Sequence, residues 1–182
     1  RCNNQTKMIN VEIHNDDRQK AVEVLKYKNF GNRSSGFNGN YEKQYTGLIG
    51  ELTTYRLLEM DPPNYNEGRI DTDILVNGKK IDIKSMLRKY DMRDDWVHNF
   101  VGYQKEMTSD ILLFININGN TKPVQLCGWL DKKNFLDTAD FYNKGDTRTR
   151  DNGTSFKTHA PLYEIKQEKL NKLNDIKDLK NI

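Results

Sequence analysis

The stretch that decides the fold reads Asp71-Thr72-Asp73-Ile74-Leu75-Val76-Asn77-Gly78-Lys79-Lys80-Ile81-Asp82-Ile83-Lys84. Asn77-Gly78 is the strongest short-range signal for a two-residue hairpin turn, because both turn residues must accept positive φ. If the turn has two residues, paired positions carry numbers summing to 155, so Asp73 faces Asp82 and Asp71 faces Lys84. Side chains alternate with period two, so Asp71, Asp73, Asp82 and Lys84 project from one face and Ile74, Ile81 and Ile83 from the other. The apolar face is core. The acidic face carries like charges opposite one another, which destabilises a hairpin unless a cation compensates.

Working outward, Tyr45, Leu48, Ile49, Leu52 and Tyr55 recur at three- and four-residue steps and predict a helix from Tyr41 to Met60 with one buried face. Asp61-Pro62-Pro63 is read as its stop, since proline lacks the amide donor and pushes the preceding residue out of helical geometry. Gly47 and Gly50 lie inside that helix, where each costs about 1 kcal/mol relative to alanine. Close approach to the sheet or to a phosphate accounts for such a cost. The GLIG segment has neither the Lys-Ser/Thr ending nor the preceding strand of a phosphate loop.

Upstream, Ile9, Val11 and Ile13 alternate with polar residues, and Asn15-Asp16-Asp17 offers caps for a helix through about Tyr27. Positions 31–40 read as a Gly/Asn/Ser-rich loop. Downstream, 111–117 and 124–130 predict strands. A short helix follows from Asp131, then a last strand near 162–165. Positions 1–15 are read as an extended lead-in and 166–182 as a tail. The pattern is that of an α/β chain built as one domain over 1–182, with a central mixed β-sheet flanked by helices.

The 182-residue chain carries 29 basic and 26 acidic residues, a net charge of +3 that permits nucleic-acid contact without announcing it. Lys79-Lys80, Arg88-Lys89 and the group Arg148, Arg150 and Lys157 are the local basic candidates for phosphate contact. The longest apolar run is Ile111 to Ile115, and a membrane span needs about 20 residues, so no membrane partner is expected. With no secretory leader pattern and only Cys2 and Cys127, the expected location is the cytoplasm. His14, His98 and His159 lack zinc-ligand spacings and read as surface or structural residues. Trp96, Phe100, Trp129, Phe135, Phe141 and Tyr142 read as core aromatics.

Clustered carboxylates suit Mg²⁺, a hard ion that keeps several waters and takes one or two protein carboxylates beside a substrate phosphate. A glutamate on a helix, an aspartate opening a strand, and Asp82-Ile83-Lys84 in the next strand together resemble the PD-(D/E)XK nuclease superfamily. The resemblance covers roughly 41–85. It implies a restriction-endonuclease-like fold and Mg²⁺-dependent hydrolysis of DNA phosphodiesters, with Mn²⁺ as substitute, of restriction or phage type. It implies catalytic Glu51, Asp73, Asp82 and Lys84, and a metal set of Asp73, Asp82, Ile83 and Glu51. Asp71 competes with Asp73 as first ligand, and no proline precedes Asp73. Glu51 lies about 90° from the centre of the helix's apolar stripe. Gln104 and Lys105 match a supporting glutamine or lysine that some members carry on a helix before the next strand. Double-strand cutting by one small domain implies a homodimer. The alternatives are a noncatalytic nucleic-acid-binding module, a structure-specific nuclease or an RNA-cleaving one.

Overall fold

The computed structural model describes residues 8–30, 39–67, 73–119 and 123–182. Asp71, Cys2 and most of the predicted 31–40 loop lie outside them. In chain order the elements are β1 (Ile9–Val11), α1 (Asn15–Tyr27), α2 (Tyr41–Leu57), β2 (Ile74–Val76), β3 (Lys79–Arg88), β4 (Val97–Val101), β5 (Ile111–Asn118), β6 (Val124–Asp131), α3 (Lys132–Thr138), β7 (Asp140–Tyr142), β8 (Thr147–Thr149), β9 (Ser155–Lys157) and β10 (Leu162–Lys166). The chain is thus mixed α/β.

A five-stranded mixed sheet runs β1-β6-β5-β3-β2, a three-stranded one β4-β10-β7, and β8-β9 form a separate hairpin. Only β3 and β5 pair in parallel, Ile81 beside Ile111 through Arg88 beside Asn118. Between them the chain leaves the main sheet, forms β4 in the second one, and returns through a 3-10 turn at Gly102–Gln104. That turn stands where the family resemblance implies a helix.

β5 is covered on both faces, which explains why its sequence reads as a continuous apolar run rather than an alternation. Ile111, Leu113, Ile115 and Ile117 enter one core with Leu48, Ile49 and Leu52 of α2 and with Ile74, Ile81 and Ile83. Leu112 and Phe114 enter a second core with Phe100, Phe135 and Ile165. The sheet therefore separates two apolar layers, one under the helices and one under the second sheet.

The hairpin has the expected register: Ile74 pairs with Ile81 and Val76 with Lys79, with φ of 49° at Asn77 and 79° at Gly78. β3 runs four residues past its predicted end because β5 pairs with it to Arg88. The helix α2 departs from expectation twice. It is buried at Thr46, Gly50, Thr53 and Thr54 as well as along the apolar stripe. It also stops at Leu57, before the prolines, where Glu59 turns left-handed at φ 58° and pairs with Lys180 at 2.6 Å. The tail is part of the fold, since Leu173, Leu179 and Ile182 enter the first core and Leu170 the second.

Of the two helical glycines, Gly50 alone meets the sheet: a Cβ there would stand 2.0 Å from Ser85 Oγ, whereas one at Gly47 would meet nothing within 4 Å. Close packing of α2 on β3 therefore requires glycine at position 50 and not at 47.

Candidate active site

Asp82 and Lys84 leave β3 on the same face, and Lys84 Nζ stands 2.6 Å from Asp82 Oδ2. The contact is electrostatic and not an aligned hydrogen bond, for Asp82 Oδ2 is buried without a hydrogen-bond partner. The ammonium instead donates to Gln104 Oε1 at 2.9 Å and lies 5.2 Å from the Phe100 ring centroid. A partly desolvated lysine between a carboxylate, an amide oxygen and an aromatic face is held in place on three sides. Gln104 thus joins the site from the 3-10 turn, while Lys105 is exposed.

Asp73 departs from the expected geometry. The ladder begins at Ile74, so Asp73 is not a strand residue paired with Asp82. Its side chain takes the place of the next ladder rung: Asp73 Oδ2 accepts the Ile83 amide at 2.7 Å. Its backbone carbonyl accepts Tyr55 Oη from α2 at 2.5 Å. The strand therefore ends in a carboxylate lashed to β3 on one side and to α2 on the other.

Glu51 reaches the same edge from α2, and Tyr65 Oη donates to Glu51 Oε1 at 2.8 Å. Burial of its carboxylate raises its pKa to about 7. The Tyr65 hydrogen bond opposes the rise, and the field of Asp82 adds to it. Asp73 is held well above the usual carboxylate range, chiefly by burial, then by the fields of Asp82 and Glu51; Lys84 and the Ile83 amide work against that shift. Tyr55 is likewise pushed up to about 12, by burial and by the charges of Glu51 and Asp73. Three carboxylates from α2, the β2 entry and β3 thus share one electrostatic environment with one near ammonium.

Lys132, at the start of α3, is a second cation in that environment. Burial lowers its pKa, Asp82 raises it and Lys84 lowers it again. Its ammonium donates to Met107 O and its amide to Asp110 O at 2.8 Å, which ties down the segment that carries Gln104. The sequence reading missed Lys132 and Tyr65. Lys132 looked like an ordinary first-turn residue, and Tyr65 follows a proline break where no periodicity marks a buried side chain.

Among the described residues no group of three or more His, Cys, Asp or Glu side chains is assembled to hold a metal ion. The donors at the β3 edge, buried Asp82 with an oxygen that has no hydrogen-bond partner and half-buried Asp73, are hard carboxylate oxygens of the kind taken by a cation that keeps most of its water. The Ile83 side chain is in the core and its amide is committed to Asp73, so only its carbonyl is left to serve as a ligand.

The remaining candidates disperse. His98 is fully buried in β4; its Nε2 bonds Gln167 Oε1 at 2.6 Å, and burial pushes its pKa down to about 4, so it is a neutral structural residue. Phe135 is core, whereas Phe141 is 47% exposed. Lys79, Lys80, Lys89 and Lys157 are exposed, and Arg148 is taken up by Glu164 at 2.5 Å. No helix among the described residues is long and apolar enough to cross a membrane. No family model, curated protein or solved structure matches the chain.

Proposed function

We propose that the chain is a Mg²⁺-dependent phosphodiester hydrolase of the PD-(D/E)XK kind, acting on DNA as an endonuclease. The observation that carries this reading is the Asp82–Lys84 pair on β3 with the Asp73 carboxylate on the neighbouring Ile83 amide, both aspartates lying in the field of Glu51 from α2. A structural salt bridge needs one acid per base. Here one buried acid, Asp82, and two half-buried ones, Asp73 and Glu51, outnumber the cations Lys84 and Lys132, an arrangement that costs stability and is retained at sites where charge must be supplied from outside.

In this reading Asp73 and Asp82, with the Ile83 carbonyl, would hold the ion, which supplies charge neutralisation at the scissile phosphate and lowers the pKa of bound water. Lys84, oriented by Gln104, stands beside Asp82 where it can stabilise an attacking hydroxide or a developing phosphorane charge. Glu51, with a pKa near neutrality, can accept a proton from water at that edge, and Tyr65 holds its carboxylate in position.

The test is incubation of the purified chain with plasmid, single-stranded, branched and RNA substrates, with Mg²⁺ and with EDTA. Cleavage that needs Mg²⁺ and is strongest on duplex DNA is expected. Loss of all metal dependence across the panel refutes the reading.

A further inference from the structure

Lys132 is 7% exposed, yet among the described residues no carboxylate forms an ion pair with its ammonium. The chemistry proposed for the β3 edge gives it no part. A buried ammonium without a counter-ion gives up hydration that one hydrogen bond to a neutral carbonyl replaces only in part. Its acceptor, Met107 O, also takes the Ser109 amide at 3.0 Å, so satisfying that carbonyl does not call for a lysine.

The backbone at Lys132 is fixed to the sheet. Its amide donates to Asp110 O at 2.8 Å, and Asp110 is itself tied to Lys80 of β3, its amide donating to Lys80 O and its Oδ2 accepting the Lys80 amide, both at 2.8 Å. From that base the side chain reaches back to Met107, in the segment that joins β4 to β5. Met107 N donates to Gln104 O at 3.1 Å, and Gln104 Oε1 accepts Lys84 Nζ at 2.9 Å. The other end of the segment is closed at Gly102, whose amide donates to Pro161 O at 2.7 Å and where a Cβ would stand 2.6 Å from Pro161 Cβ. The turn is thus pinned at Gly102 by Pro161 and at Met107 by Lys132, with Gln104 between the two pins.

We propose that Lys132 is a positioning residue for Lys84, holding the 102–107 turn so that Gln104 meets the Lys84 ammonium. This rests on the reading of Lys84 as part of a hydrolytic site. A hydrogen bond weakens steeply once its distance and angle leave their optimum, so a shift of the turn by about 1 Å forfeits the Gln104 contact. Lys84 is then held by the Asp82 charge and the Phe100 ring alone, and misplacement on that scale is enough to slow chemistry about 100-fold.

The experiment compares wild type, Lys132→Met, Gln104→Ala, the double variant and Lys133→Met, an exposed neighbour on α3. It reads the rate at which acetic anhydride acetylates Lys84, followed by mass spectrometry without metal or DNA, and the single-turnover rate of Mg²⁺-dependent duplex cleavage, with duplex affinity measured in EDTA. Lys132→Met removes a buried charge, keeps most of the aliphatic stem and leaves Met107 O the Ser109 amide, so circular dichroism should show the fold intact; Lys132→Leu is the second variant. Lys84 should be acetylated several-fold faster in Lys132→Met and in Gln104→Ala, and no faster again in the double variant, because both lose the same contact. Cleavage should slow about 10- to 100-fold in each, again without adding, at unchanged duplex affinity, while Lys133→Met matches wild type. Acetylation of Lys84 at the wild-type rate in the Lys132 variants, effects that multiply in the double variant, or failure of both Lys132 variants to fold overturns the role. Cleavage by wild type with any of those results retires the positioning role alone, whereas coupled acetylation without any cleavage by wild type retires the nuclease reading and leaves the positioning of Lys84 standing.

Discussion

Asp73 Oδ2 accepts the backbone amide of Ile83 at 2.7 Å, so a side chain continues the hairpin where the β2 backbone no longer pairs. The same carboxylate lies in the field of Asp82 and Glu51, which makes one residue both the end of a strand and a member of the acidic cluster.

That double duty separates two substitutions. Asp73→Ala leaves the Ile83 amide without its acceptor and should cost roughly 1–3 kcal/mol. Asp73→Asn keeps an acceptor oxygen and removes a buried charge, so its stability at neutral pH should equal or exceed that of wild type. Urea unfolding of both variants checks this, and both should lose Mg²⁺-dependent cleavage.

Glu51 gives a pH dependence with a definite sign. Its pKa rises from 4.5 in the unfolded chain to about 7 in the folded one, so between those values the folded state binds the extra proton and stability falls as pH increases. The cost is absent below pH 4.5 and fully present above about 7, where it amounts to at most about 3 kcal/mol. Glu51→Gln can still accept the Tyr65 hydroxyl and should be more stable than wild type at pH 8 but not at pH 4. Paired urea titrations at the two pH values decide it.

The helical glycines give a contrast within one element. Gly50→Ala would place a Cβ 2.0 Å from Ser85 Oγ, and the overpacking should cost about 1–3 kcal/mol, more than the helix propensity gained. Gly47→Ala meets nothing and should stabilise by up to about 1 kcal/mol. Thermal unfolding of the two variants should move in opposite directions.

The parts of this fold that were legible are those whose local chemistry has one solution. Asn77-Gly78 takes positive φ at both positions and sets the register that pairs Ile74 with Ile81, and the period-two alternation of the strand then puts Asp82 and Lys84 on one face. The stretch 111–117 was legible as a strand, and its burial on both faces emerges only with the two cores packed against it. β4 was not legible, because His98 and Asn99 interrupt its apolar pattern and the strand is held by β10 and by the His98–Gln167 hydrogen bond, partners nearly seventy positions away. The tail leucines follow no period and declare themselves only when the two cores are assembled. At the site, Asp82, Lys84 and Glu51 were marked by motif and helix position. Tyr65 and Lys132 were not, since each acts through a contact to a distant backbone or carboxylate.

The most direct test of the central claim is the single-turnover rate of Mg²⁺-dependent duplex DNA cleavage by wild type and by Asp82→Asn. The substitution keeps the shape of the side chain and its place beside Lys84 while removing one negative charge from the cluster. The account predicts cleavage by wild type in Mg²⁺ and none in EDTA, and a rate lowered at least roughly 100-fold by Asp82→Asn with the fold unchanged by circular dichroism. Cleavage by Asp82→Asn at the wild-type rate would contradict it.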